Sequence, residues 1–200
     1  LLGEDRVGLT SSTLEVRFGD HPFLPAAISP DPTKDSDDIS LLSGILHLVG
    51  FDSEAPNPDG SVTLTQLSQT RFNAAYDLGA EDSFGGTISS FDNFGTLAKE
   101  TKDLSGTSLV FGLKDAGSPQ VILQLEDALG GRDQVILTGV DGSERFWMID
   151  LALFDIDLTQ VTGIVFLLEE DRVTDTTSTL EVRLGNHPFI PTLFRDPLLN

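Results

Sequence analysis

The sequence predicts an all-β fold, a sandwich of short strands. Three observations carry that prediction. Short runs rich in Val, Ile, Leu and Phe recur every 10–15 residues. Turn signals such as DAGSP, ALGGRD and VDGSE separate them. No long segment shows the 3.6-residue period of an amphipathic helix, so strands must supply the layers.

Taken in order, LLSGILHLV (41–49) fits either a strand or a short helix, because it is apolar without a clear period. After the turn NPDG (57–60), SVTLTQLSQTRFNAAYDLG (61–79) reads as one long alternating stretch. TSLVFGLK (107–114), QVILQLED (120–127), QVILTG (134–139), FWMIDL (146–151), TGIVFLLE (162–169) and STLEVRL (178–184) follow as strands. One corner occurs twice. DLSGTSLVF (103–111) and DLTQVTGIVF (157–166) both place Asp-Leu-Ser/Thr just before a strand. The polar side chains can bind turn N–H groups while the Leu plugs the end of the core, so these aspartates read as structural.

Composition sets the bounds on function. The 200 residues include 39% apolar types and 13 Phe, enough for one core. A net charge of −20 repels phosphate backbones and anionic membranes, which excludes nucleic acid as a partner and favours divalent cations as counter-ions. Cysteine is absent, which rules out disulfides and thiol chemistry and fits either an intracellular protein or an uncrosslinked bacterial surface protein. No stretch approaches the roughly 18 apolar residues of a membrane-spanning helix, so membrane insertion is not expected. The chain begins Leu-Leu rather than Met, and reads as a mature or excised segment with any export signal outside it.

The most specific feature is a duplication. LLGEDRVGLTSSTLEVRFGDHPFLP (1–25) aligns without gaps to LLEEDRVTDTTSTLEVRLGNHPFIP (167–191), with 18 of 25 positions identical. The 166-residue offset is the size of a domain. The expected division is therefore a terminal strand segment at 1–25, a Pro/Asp-rich linker at 26–36, a sandwich domain at 37–191, and the start of the next linker at 192–200. In a tandem array the first copy is the tail of a preceding repeat. Alternatively, it adds a strand to a neighbouring chain. An old duplication inside one compact domain is the third possibility.

Between 60 and 185, the order of blocks carries a resemblance. RFNAAYDLGAEDSFGGTIS (71–89), DLSGTSLVFGLKD, VILQLEDALGGRDQVILTG, FWMIDLALFDIDLTQVTGIVFLLE and TLEVRLGN resemble a carbohydrate-binding-module jelly roll, of the family 11 and galactose-binding-like type. The resemblance implies a jelly-roll β-sandwich of two antiparallel sheets and an extracellular setting. It also implies, in many members, a structural calcium, and in some, β-glucan binding on the concave sheet. Phe84 stands where the family has Trp, and Trp147 falls at a Tyr position. The closing LEVRLGN lacks the family's Asp-rich calcium segment.

Candidate site residues follow from exposure and chemistry. Sugar binding needs exposed aromatic faces, and the one Tyr and one Trp, Tyr76 and Trp147, are the candidates. Yet Trp147 alternates with Ile149 and Leu151, which points it inward, and Tyr76 shares a strand with Phe72. Phe146 and Met148 lie on the face opposite Trp147, where either a loop, another subunit or a ligand must cover them. With Leu14, Val16 and Phe18 of the first copy, and Phe23 and Phe189 of the HPFLP and HPFIP exits, they form the expected interface. His21 and His187 read as packing residues, and His47 belongs to no cluster. Calcium could lie among Asp31, Asp35, Asp37 and Asp38, or near Asp52, Glu54 and Asp59, although neither stretch matches an EF-hand loop. No G-x-S-x-G, HExxH or P-loop occurs, so no enzyme is expected. The leading expectation is an extracellular structural or adhesive repeat that binds copies of itself end to end into a fibre. The alternative is a module that binds β-glucan or a related polysaccharide.

Overall fold

The structure, a computed structural model, describes residues 45–52, 60–67, 71–79, 82–95 and 97–185. Ten strands lie among them: β1 (His47–Asp52), β2 (Ser61–Gln66), β3 (Arg71–Asp77), β4 (Phe84–Ser90), β5 (Ser108–Lys114), β6 (Gln120–Asp127), β7 (Arg132–Thr138), β8 (Arg145–Asp150), β9 (Val161–Glu169) and β10 (Thr177–Leu184). Helical structure among the described residues is confined to three single 3-10 turns. The strands form two five-stranded sheets, ordered β1-β4-β9-β6-β7 and β2-β3-β10-β5-β8. Every strand pairing is antiparallel. This is the jelly-roll sandwich the sequence predicted. The domain boundaries expected near 25, 36 and 191 lie outside the described residues.

The structure resolves two stretches that the sequence left open. The stretch 61–79 is not one strand but the antiparallel pair β2 and β3, with Val62 opposite Tyr76 and Leu64 opposite Ala74. Val62 and Leu64 point inward, but Leu67 breaks their alternation, and its N–H donates to the Arg71 carbonyl at 2.9 Å. That phase slip is where the chain reverses. The ambiguous 41–49 run contributes the start of a strand, β1, from His47 onward.

Period-two alternation places one side of each strand in the core. Sheet β2-β3-β10-β5-β8 supplies Phe72, Tyr76, Leu180, Val182, Phe111, Leu113, Trp147 and Ile149. The opposite sheet supplies Val121, Leu123, Leu125, Leu137, Ile164, Phe166 and Leu168. Phe111 joins the layers: it stacks on Trp147 at 6.0 Å and meets Phe166 edge-on at 5.3 Å.

One end of the sandwich is closed by the repeated corners. Asp103 Oδ1 accepts from the N–H and hydroxyl of Ser105, and Asp157 Oδ1 does the same for Thr159. Leu104 is buried, and Leu158 packs against the core. Asp127 binds this end to the β6–β7 hairpin. Its carboxylate accepts from the N–H groups of Leu129, Gly131 and Asp157.

Candidate functional site

The outer face of the β1-β4-β9-β6-β7 sheet is where exposed rings and polar groups meet. Register builds it in rows. Phe51, Gly86, Leu167, Ile122 and Ile136 lie side by side across the five strands. The next row is Val49, Ile88, Val165, Gln124 and Gln134, and the one after is His47, Ser90, Gly163, Glu126 and Arg132. With strands about 4.8 Å apart, the face is about 19 Å wide.

Its floor is apolar and closely packed. Ile122 and Val165 are buried although they point away from the core. Two glycines leave no side chain on this face. A Cβ at Gly86 would collide with the Phe166 carbonyl and sit 2.8 Å from Cζ of Phe51. A Cβ at Gly163 would sit 2.8 Å from Cδ1 of Ile88. Phe51 and Ile88 therefore occupy the space that a side chain at Gly86 and Gly163 would need.

The β1–β4 side carries the rings. Phe84 is 40% exposed and Phe94 60% exposed. Phe51 lies 6.4 Å from Phe84, and the His47 imidazole lies 5.5 Å from the Phe94 ring. Together they form a stripe along β1 with a ring at each end. The β6–β7 side is polar. Gln124 donates to Glu126 at 3.1 Å, and Arg132 pairs with Glu126 at 2.9 Å. Gln134 lies opposite Gln124.

Phe94 is held where its backbone costs energy. Its φ is +54°, in the left-handed region that bulky residues rarely occupy. The loop fixes it there: Phe94 N–H donates to Asp92 Oδ1 at 3.2 Å, and Gly95 N–H to Asn93 Oδ1 at 2.7 Å. Glu100 holds Asn93 through both its main-chain and side-chain N–H groups. Burial works against the Asp92 charge, but the Phe94 N–H and contacts to Glu100 keep its carboxyl below the usual range. An exposed ring is thus held on a strained, hydrogen-bonded turn, an arrangement that clusters at functional sites.

The residues singled out from sequence fare differently. Trp147 is 0% exposed and Tyr76 2% exposed, so neither offers a ring face to a sugar. Each packs between the sheets, where an alternating strand sends its large apolar residues. Phe146 and Met148 do lie on the face opposite Trp147, beside Val110 and Gly112 of β5. Phe146 is nonetheless buried. Arg183 lies over its ring at 5.7 Å and is itself paired with Glu144 of the β7–β8 connection at 3.2 Å. Asp52 is half-buried at the end of β1, and no group of three or more metal-ligating side chains occurs among the described residues. Leu14, Val16, Phe18, Phe23, Phe189, His21, His187, Asp31, Asp35, Asp37, Asp38, Glu54 and Asp59 lie outside them.

Sequence reasoning missed Phe51, Phe94, Gln124 and Gln134. The usable signals were the spacing of His47, Val49 and Phe51 on one side of a strand, and glutamines at every fourth position of the apolar run QVILQLED. Both signals need the strand's inward side to be known first.

No family model matches the chain. No curated protein matches it. Among solved structures, it is similar to the enzymatically active domain of tailspike protein 4 of bacteriophage CBA120, at 12% identity and TM-score 0.43 over 74% of this chain. The match spans only 20% of that tailspike chain. It is similar to the family 30 carbohydrate-binding module of a cellulosomal cellulase of Clostridium thermocellum, at 16% identity and TM-score 0.41, covering 70% of this chain and 96% of that one. It is also similar to a family 29 carbohydrate-binding module solved with mannohexaose, at 15% identity and TM-score 0.42, covering 70% and 90%.

Proposed function

We propose that this sandwich is a non-catalytic carbohydrate-binding module. It would hold a neutral polysaccharide, a β-glucan or a related chain, on the outer face of the β1-β4-β9-β6-β7 sheet, in an extracellular or cell-surface setting. The supporting observation is Phe94, an exposed ring held at positive φ and continued by His47, Phe51 and Phe84. Pyranose rings present apolar C–H faces that stack on such rings, while their hydroxyls need planar donors and acceptors. Gln124, Gln134, Glu126 and Arg132 provide those on the same face. The charge of −20 disfavours uronic-acid or sulfated chains, which leaves neutral glycans.

The test is affinity electrophoresis in gels containing soluble β-glucan, mannan or no polysaccharide. Retardation by one glycan, lost in Phe94→Ala and Phe84→Ala with unchanged melting temperatures, supports the reading. Equal mobility of wild type in every gel refutes it. The second reading, an end-to-end structural or adhesive repeat, draws its support from the duplication and not from this face.

A further inference from the structure

The duplicated segment is an informative probe of β10, because each residue of the first copy has its counterpart 166 positions later. β10 lies in mid-sheet, paired with β3 on one side and β5 on the other. Its inward residues Leu180, Val182 and Leu184 are buried in the core. Its remaining contacts are specific. Ser178 Oγ donates to Asp115 Oδ1 at 2.6 Å, Glu181 pairs with Lys114 at 2.5 Å, and Arg183 covers Phe146. Val173, just before the strand, packs on the core.

The first copy keeps this set on both faces. Val7, Ser12, Leu14, Glu15, Val16 and Arg17 stand for Val173, Ser178, Leu180, Glu181, Val182 and Arg183 without change. The one inward difference, Phe18 for Leu184, is apolar for apolar. Divergence falls mostly outside the body of β10: Gly3 replaces Glu169 at the end of β9, Gly8 and Leu9 replace Thr174 and Asp175 ahead of β10, and Ser11 replaces Thr177 at its start. A generic strand would need only the inward alternation. Ser12, Glu15 and Arg17 are the residue types that Asp115, Lys114 and Phe146 meet in the second copy.

We infer that residues 5–19 are a second strand for the position β10 fills, and that they seat between the β3 and β5 of a sandwich of this same sequence. One sandwich has one such position, so the partner is another copy or repeat whose own β10 is absent or displaced. The 27 residues from 20 to 46 could span about 90 Å when extended, enough to reach a neighbouring sandwich. This inference is independent of the glycan site, since the two use opposite sheets.

The full chain tests it. Leu180→Asp with Val182→Asp disables the resident strand, and Leu14→Asp with Val16→Asp disables the spare. Trp147, the one tryptophan, reports the core by its fluorescence in a urea titration. The inference expects the Leu180/Val182 variant to keep a cooperative transition and a buried Trp147 spectrum, and the fourfold variant to lose both. It also expects the Leu14/Val16 variant to melt like wild type. If the Leu180/Val182 variant is as unfolded as the fourfold variant, or if Leu14/Val16 alone unfolds the chain, the inference is overturned.

Discussion

The main-chain N–H of Leu104 donates to the carbonyl of Leu158 across 2.8 Å. The two Asp-Leu-Ser/Thr corners are therefore joined to each other as well as alike in sequence. Lys102 and Val161 extend the junction with reciprocal bonds of 2.8 and 3.0 Å. One turn rule, used twice, closes the end where the two sheets meet.

Acid should open that end. Asp103 is held below the usual carboxylate range mainly by the Ser105 hydroxyl, Asp157 by that of Thr159, and Asp127 by the Asp157 N–H. A carboxyl whose pKa falls on folding contributes its stability above its unfolded value, about 3.9, and loses it as pH drops through the lower folded value. Melting temperature should be flat from neutral pH to about 5 and fall steadily below about 4. Asp127→Ala should lower the midpoint at pH 7 and reduce that acid slope. An unaltered slope would contradict the assignment.

Alkali should act through Tyr76. Burial first, and the Asp115 charge second, push its phenol well above the ordinary value. Neither Tyr76 Oη nor Asp115 Oδ2 has a hydrogen-bond partner among the described residues. An acid whose pKa rises on folding contributes its stability below its unfolded value, about 10, and loses it as pH rises further. Tyr76→Phe should stay within about 1 kcal/mol of wild type at pH 7. Chemical denaturation at pH 11 should show the variant losing less stability than wild type.

Phe166 should be a costly truncation in the core. It meets Phe111 edge-on, and Phe111 in turn stacks on Trp147, so its removal opens a cavity between the sheets. Phe166→Ala should destabilise by about 3–5 kcal/mol in urea titrations. A loss below about 1 kcal/mol would show that the layers close over the gap.

Phe94 should trade stability for binding. Glycine adopts its φ of +54° without steric cost, though it has more entropy to lose on folding. Phe94→Gly should therefore melt at or slightly above wild type, by up to about 1 kcal/mol, while glycan retention falls about tenfold or more. Ligand should leave Trp147 fluorescence unchanged in wild type, because that ring is sealed in the core. Strong quenching by glycan would place the site elsewhere.

How far the sequence could be read depended on what each residue answers to. β6 runs from Gln120 to Asp127, the span of the QVILQLED run, because an unbroken apolar segment between two turn signals leaves little choice of boundary. The β2–β3 reversal was hidden because no Gly, Pro or Asn marks it; a change of phase at Leu67 does. The site was less legible than the fold. Tyr76 and Trp147 were natural choices by residue type, but type does not give side, and packing sent both inward. Phe51 and His47 share a side only if 47–52 is a strand, and the sequence left its first part, within 41–49, open between strand and helix. Phe94 occupies an irregular loop whose side-chain hydrogen bonds cross seven positions of sequence, from Asn93 to Glu100, beyond the reach of local propensity.

The place of β10 has a consequence for how the molecule is made. It is the last of the described strands, yet its sheet has β2–β3 on one flank and β5–β8 on the other. During synthesis the β2–β3 hairpin and the β5–β8 pair stay separate, each with an open edge, until residue 184 has left the ribosome. Such late, long-range closure slows folding and leaves nascent edges open to other chains.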